Sequence, residues 1–297
     1  MASSLRDKLT SGAFVMTAEV TPPLSADTSE LLEKAMPLQG VADAVNVTDG
    51  ASARAHLDAM VSAYILKQNG IEPILQITCR DRNRIALQSE LVGAAALDLP
   101  NVMILTGDDP KQGDQPDAKP VFDLDSAALI STAAHIRDKG ELPHGRKVGG
   151  HPDYFIGAAD APIDPPEGWT PKSLLKKVEA GAQFAQTQFC MDTNVVRRYL
   201  ERLAEHGLGG KLFYLVGVAP LASAKSARWM KEKLFGVIIP DWIVERMEAA
   251  SDPKAEGRAI CVDILNELKE IPGVSGAHIM APLNESSIPG VIQKVRG

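Results

Sequence analysis

Polar residues that could carry acid–base chemistry stand within or just after short apolar segments of the chain. Glu19 is the clearest, because it lies inside the apolar run 14–20. Burying a carboxylate in such a run is costly unless the group is paired or functional. Burial also favours the neutral carboxylic acid, which can donate a proton. The pattern therefore indicates Glu19 as a candidate general acid.

Two glutamines form a second candidate feature. Gln186 and Gln188 lie two residues apart in the apolar run 184–189. Side chains two apart in a strand point to the same face. Each amide offers one acceptor and two donor hydrogens, which suits recognition of a heterocycle with mixed donor and acceptor edges. The spacing predicts that both glutamines contact a substrate.

Further polar residues follow the other apolar segments. They are Thr48, Asp49, Gln76, Thr106, Gly107, Asp108 and His151. Taken singly, most of these are also ordinary turn residues. Whether they form a site therefore depends on the elements that carry them.

Those elements alternate along the chain. The predicted strands are 14–20, 41–48, 73–79, 102–106, 146–150, 184–189, 212–218 and 274–280. The predicted helices are 29–38, 53–68, 82–97, 125–139, 170–180, 193–206, two or three within 222–270, and 287–295. Such alternation with near-continuous apolar strands is typical of a parallel sheet covered by helices. Two long loops, 110–120 and 151–169, are candidate lids.

Eight strand–helix units favour an α/β fold, a (β/α)8 TIM barrel with extra helices, formed as a single domain over residues 1–297. The alternative is an open doubly wound sheet, but no glycine-rich nucleotide-binding motif follows any strand. Active sites of such barrels lie at the carboxyl ends of the strands. The polar strand-end residues are therefore expected to converge on one mouth.

Composition excludes several classes of protein. The chain has 31 Lys and Arg against 38 Asp and Glu, a formal net charge of −7, which argues against nucleic-acid binding. Three widely spaced cysteines, without a CxxC pair, favour free thiols and a cytoplasmic location. No apolar run is long enough to predict a membrane span, and residues 1–8 lack the pattern of a signal peptide. The six histidines show no metal-binding spacing, so no metal site is predicted.

Taken together and in order, the strand-end segments resemble the methylenetetrahydrofolate reductase family, in its bacterial form with a catalytic domain only. The matching segments are 18–23, 45–50, 77–79, 105–108, 176–182 and 187–189. The resemblance implies an enzyme that reduces 5,10-methylenetetrahydrofolate to 5-methyltetrahydrofolate. It also implies FAD as cofactor, NADH or NADPH as the electron donor, a ping-pong reaction and a homo-oligomer.

The resemblance implies roles for individual residues. Glu19 is expected to help protonate N10 of the folate, and Asp108 to act near both flavin and pterin. Gln188 is expected to contact the folate. Thr48 matches a flavin contact, and Lys177, next to Lys176, matches a basic residue near the cofactor's phosphates.

The remaining cofactor contacts implied by the resemblance are Gly107 and four positions where the residue type differs from the family. At those four the family's aromatic residue, histidine, arginine and tyrosine are replaced by Asp49, Gln76, Thr106 and His151. The changes leave two alternatives open. One is a reductase-like subunit of a complex that transfers one-carbon groups. The other is a flavin-free enzyme that passes hydride directly from NADH to the folate.

Overall fold

Eight parallel strands close into a barrel, each hydrogen-bonded to the next in the order of the chain, with β8 returning to β1. The computed structural model describes residues 3–282 and 284–297, so Met1, Ala2 and Leu283 lie outside the described residues. The strands are β1 (Val15–Val20), β2 (Ala44–Val47), β3 (Pro73–Thr78), β4 (Asn101–Leu105), β5 (Phe155–Asp160), β6 (Phe184–Phe189), β7 (Phe213–Val218) and β8 (Val274–Ile279). The predicted (β/α)8 barrel is confirmed.

Helices cover the outside of the barrel. They are α1 (Ser4–Thr10), α2 (Ser29–Ala35), α3 (Ala59–Gln68), α4 (Arg84–Ala96), α5 (Ser126–Lys139), α6 (Lys172–Glu179), α7 (Thr193–Glu205), α8 (Ala224–Lys233), α9 (Asp241–Ala249), α10 (Pro253–Lys269) and α11 (Ile288–Arg296). Three of them, α8 to α10, fill the segment in which two or three were expected. Across the described ranges, no helix combines the length and apolar character needed to cross a membrane.

The prediction of the fifth strand was wrong. Residues 146–150 form no barrel strand; they belong to a surface turn in which Lys147 makes an isolated antiparallel bridge to Glu141. The true β5 begins at Phe155 and lies inside the segment predicted to be a loop. His151 therefore precedes β5 and lies towards the opposite end of the barrel from the mouth.

Helix α1, which was not predicted, closes the bottom of the barrel. Ser3 caps its N-terminus by accepting a hydrogen bond from the backbone N–H of Arg6 at 2.9 Å. Leu5 and Leu9, one turn apart, are buried among the inward-facing side chains of the barrel, which include Phe155 and Phe184. This apolar layer seals the lower interior. The polar chemistry is therefore confined to the upper half.

Candidate active site

A cavity of about 770 Å³ opens at the carboxyl ends of the strands. Most of the predicted site residues line it: Glu19, Thr48, Asp49, Gln76, Thr106, Gly107, Asp108, Lys177, Gln186 and Gln188. His151 and Lys176 are not among the lining residues, and both side chains are exposed to solvent. The barrel thus brings together side chains that lie as far as 261 positions apart in the sequence, as Thr17 and His278 do.

Glu19 projects from β1 into the floor of this cavity. Its Oε2 accepts a hydrogen bond from Nε2 of Gln76 at 3.0 Å, and Nε2 of His278 lies 3.5 Å from the same oxygen. The Glu19 side chain is 20% exposed, so it contacts the cavity while its stem is covered. Within the described part of the chain, Oε1 has no protein hydrogen-bond partner. This arrangement leaves one carboxylate oxygen held and the other available to a ligand.

A layer of buried polar side chains supports Glu19 from below. Asn46 and Gln186 exchange two amide hydrogen bonds, at 2.6 and 3.0 Å. Gln186 also donates to Oγ1 of Thr17 at 3.0 Å, and Thr17 in turn contacts Nδ1 of His278 at 3.0 Å. Gln186 therefore reaches the cavity, but protein groups engage both ends of its amide. Gln188 is the freer of the two glutamines, since only its Oε1 is engaged, by the backbone N–H of Phe189 at 3.0 Å.

The rim above β2 and β3 is held by an ion pair. Asp49 accepts two hydrogen bonds from the guanidinium of Arg82, at 2.6 and 3.1 Å, and two more from the backbone and hydroxyl of Thr78. Burial alone would raise the pKa of Asp49, but Arg82 and the Thr78 donors hold it below its ordinary value. Asp49 is therefore an ionised rim residue whose oxygens are largely occupied by the protein.

Replacing Asp49 by asparagine is expected to destabilise the fold by about 2–3 kcal/mol at neutral pH, because Arg82 loses its buried partner. The folded-state pKa lies below the unfolded value, so the ion pair stabilises the protein above pH ~4 and this contribution is lost as pH falls further. Urea unfolding at pH 7 and near pH 3 measures both effects. A difference between wild type and variant that stays constant over that range would contradict the assignment.

No individual role was predicted for Arg80, which lies two residues beyond the end of β3. Its guanidinium is buried and pairs with Asp81, and it also donates to the backbone carbonyls of Gly50 at 3.2 Å and Asp108 at 3.4 Å. Gly107 has φ +92°, and a Cβ there would lie 2.9 Å from Cβ of Arg80. Glycine is thus required for the loop to pass over Arg80. Arg80 lines the cavity and sets the position of Asp108 through its backbone carbonyl.

Asp160, at the end of β5, stands at the mouth in the place predicted for His151. Its Oδ2 accepts hydrogen bonds from the phenols of Tyr199 at 2.9 Å and Tyr214 at 2.7 Å. Burial, together with this carboxylate, raises the pKa of both tyrosines, so the phenols remain donors. Lys177 donates to the carbonyl of Ala159 at 2.6 Å, and burial lowers its pKa.

Two features of the cavity wall lack hydrogen-bond partners from the protein side chains that the structure describes. The hydroxyl of Thr48 is buried and has no hydrogen-bond partner among the described residues. The N-terminus of α6 has no side-chain cap, and its residues Lys172 and Ser173 line the cavity. An uncapped helix N-terminus with a neighbouring lysine favours a bound anion.

The cysteines take no part in this site. Cys79, Cys190 and Cys261 are buried and unpaired. Burial raises the pKa of Cys79 to about 11 and that of Cys190 to about 12, so neither forms a thiolate near neutral pH. The prediction of free structural thiols is confirmed. In residues 3–282 and 284–297, no cluster of His, Cys, Asp or Glu side chains is placed to hold a metal ion.

The closed barrel, with a carboxylic acid on the floor of its mouth and amide and carboxylate groups around it, defines a barrel enzyme that acts on a polar small molecule. The family model described as methylenetetrahydrofolate reductase matches residues 4–296. The chain belongs to this family and is an oxidoreductase of that type.

Individual relatives are more distant. The chain is 25% identical over 281 residues to 5,10-methylenetetrahydrofolate reductase of Pectobacterium carotovorum, covering 90% of this chain and 85% of the relative. It is 24% identical to methylenetetrahydrofolate reductase 2 of Schizosaccharomyces pombe, covering 90% of this chain but only 42% of that longer protein. Among solved structures, a Clostridium thermocellum protein described as binding two copies of 5-methyl-5,6,7,8-tetrahydrofolic acid aligns with TM-score 0.68 at 16% identity, covering 98% of this chain and 97% of that one. The similarity to the Clostridium thermocellum structure shows a shared fold and nothing more.

Proposed function

We propose that the protein reduces 5,10-methylenetetrahydrofolate to 5-methyltetrahydrofolate with NADH or NADPH as the electron source. The observation that carries the proposal is the geometry of Glu19. One of its oxygens is held by Gln76, and the other is open to the cavity. Family membership supplies the reaction class, and a solved structure of the same fold is described as binding a methylated folate.

Glu19 acts first. Its proton passes to N10 of the folate, the bond between N10 and the bridging carbon breaks, and the bond's electron pair stays on N10. The bridging carbon remains on N5 as an iminium cation, which is ready to accept a hydride. The ionised carboxylate left behind is stabilised by the donor on Gln76. Gln188, whose Nε2 is not engaged by the protein, and Asp108 hold the folate in place.

The residues of the cavity wall fit a flavin cofactor. The unpartnered Thr48 hydroxyl offers a hydrogen bond to the ring system, and the uncapped α6 N-terminus with Lys172 and Lys177 offers positive potential for a pyrophosphate. The chemistry that FAD supplies in such a site is the transfer of a hydride from the nicotinamide donor to the folate. The protein's part is to bind, orient and exclude water.

The position of the Asp160 carboxylate favours one competing function, in which hydride passes directly from NADH to the folate. It places a carboxylate near Lys177, where a cofactor phosphate would need positive charge. Lys177 is also already bonded to the Ala159 carbonyl. A flavin-free enzyme would not need this lysine as a phosphate ligand.

An anaerobic visible spectrum of the purified protein distinguishes the flavin-dependent reaction from direct hydride transfer. A flavin band that bleaches with NADH or NADPH and returns on addition of 5,10-methylenetetrahydrofolate would support the flavin-dependent reaction. A colourless protein that is active and unaffected by added FAD would select direct transfer. A flavin that neither nicotinamide donor bleaches would point to a partner subunit as the source of electrons.

A further inference from the structure

His278 lies beneath the proposed acid and has no assigned role. It projects from β8 into the barrel, directly opposite Thr17 in the β1–β8 pairing, and is 3% exposed. Its Nε2 faces Glu19 and its Nδ1 faces Thr17. A buried histidine between an acid and a hydroxyl has two possible neutral tautomers, and its neighbours decide which one forms.

The hydrogen bonds beneath His278 select one tautomer. The Gln186 amide nitrogen donates towards Asn46 and towards Oγ1 of Thr17, and it also lies 3.4 Å from Nδ1 of His278. Thr17 therefore accepts from Gln186 and keeps its own hydrogen for another acceptor. Nδ1 of His278 lies at 3.0 Å from the hydroxyl, nearer than the Ala277 carbonyl at 3.4 Å. Thr17 accordingly donates to Nδ1, and the ring proton resides on Nε2.

The Nε2–H group then points at Oε2 of Glu19, the oxygen that also accepts from Gln76. Two N–H groups directed at Oε2 leave Oε1 as the atom that can carry the acidic proton. The 3.5 Å separation from Nε2 is long for a hydrogen bond and can shorten when Glu19 becomes negative, as catalytic contacts often do.

We propose that His278 is a positioning residue for the reductase reaction. Thr17 and Gln186 hold it as the Nε2–H tautomer, in which it directs the proton of Glu19 to Oε1 and stabilises the carboxylate after transfer. The proposal rests on the proposed function, because it acts through Glu19. The tautomer itself is a property of the folded protein and can be measured without any turnover.

The first test is nitrogen NMR of the substrate-free protein with ¹⁵N-labelled histidine. The signals of His278 are identified by their absence in His278→Asn. An Nε2–H pattern is expected in the wild type, and a shifted Nδ1 signal is expected in Thr17→Val, which removes the hydroxyl donor to that nitrogen. Thr132→Val is the matched control, since Thr132 is a buried helical residue on α5 that donates only to the Ala128 carbonyl. A wild-type Nδ1–H pattern, or no change in Thr17→Val, would overturn the proposal.

The second test compares two amide substitutions. His278→Gln places an N–H near the position of Nε2, whereas His278→Asn places one near Nδ1. We expect His278→Asn to lower kcat by about 10- to 100-fold, the scale of a slightly misplaced catalytic group, with little change in KM for the folate. His278→Gln is expected to keep most of the activity. Equal losses in both variants, after thermal melting has shown both to be folded, would contradict the positioning role.

These tests separate the inference from the proposed function. If Glu19→Gln retains full folate reduction, the acid assignment is wrong whatever His278 does. If Glu19→Gln is inactive while His278→Asn and His278→Gln both behave as wild type, the proposed function stands and the role of His278 is refuted.

Discussion

Replacing Glu19 by glutamine is expected to abolish the proposed folate reduction while leaving the fold in place. The amide has the same shape as the carboxylic acid but has no acidic proton to transfer to N10. General acid catalysis contributes about 10²- to 10⁴-fold, so a loss of about 10³-fold in kcat is expected. Stopped-flow measurement of the folate half-reaction checks this result.

In the proposed flavin-dependent reaction, reduction of the flavin by NADH or NADPH serves as the internal control for Glu19→Gln, because that half-reaction does not need a proton on N10. Glu245→Gln provides a matched substitution, since Glu245 is exposed on α9 and does not line the cavity. Folate turnover near the wild-type rate in Glu19→Gln would show that the acid lies elsewhere. Loss of flavin reduction as well would indicate a disturbed pocket rather than a missing proton.

The placement of Glu19 could be anticipated because it breaks an apolar strand. The same signal was present at His278, a polar residue two positions after Gly276 and one before Ile279 in β8, but it was not used. The pairing of β1 with β8 places His278 directly opposite Thr17, and the His278 side chain therefore lies close to Glu19. Such pairing joins residues 261 positions apart, and strand patterns alone do not specify it.

The fifth strand shows a different limit. Its residues, Phe155–Asp160, include Gly157, Ala158 and Ala159, which have low strand propensity, so the strand pattern is weak there. The structure explains the small residues, because a Cβ on Gly157 would lie 2.3 Å from the Phe184 ring. Packing inside the barrel, rather than propensity, selects them. The uninterrupted apolar run from Tyr154 was the available signal, and recognising it would have placed Asp160 at the mouth.

Asp49 at the rim and Gln76 below it illustrate what sequence position cannot resolve. Both lie at the mouth as expected, but each is engaged by another protein group, Asp49 by Arg82 and Gln76 by Glu19. Whether a strand-end residue faces a ligand or a neighbouring side chain depends on which charges the loops bring near it. The structure therefore separates residues that hold the site together from those left free to bind.

Asp108 is one of the residues left free to bind a ligand. Replacing it by asparagine is expected to lower kcat/KM for 5,10-methylenetetrahydrofolate by about 10- to 100-fold. Its side chain is exposed at the rim, while Arg80 and Gly107 fix its backbone. A carboxylate there can accept hydrogen bonds from the amino and ring N–H donors of the pterin. Asparagine presents one oxygen and one N–H instead. Charge-assisted hydrogen bonds contribute about 1.5–3 kcal/mol, which corresponds to the expected fold-change.

The neighbouring Asp109 provides the control for this effect, because Asp109→Asn removes the same charge one residue away. Asp109 does not line the cavity, and its Oδ1 accepts from the backbone N–H of Lys111 at 3.0 Å, a role that asparagine can keep. Steady-state kinetics with varied folate should therefore show a large effect in Asp108→Asn and little in Asp109→Asn. Similar losses in both variants would mean that the rim acts through its overall negative potential. A loss confined to Asp108 identifies a direct contact with the substrate, because Asp108 lines the cavity and Asp109 does not.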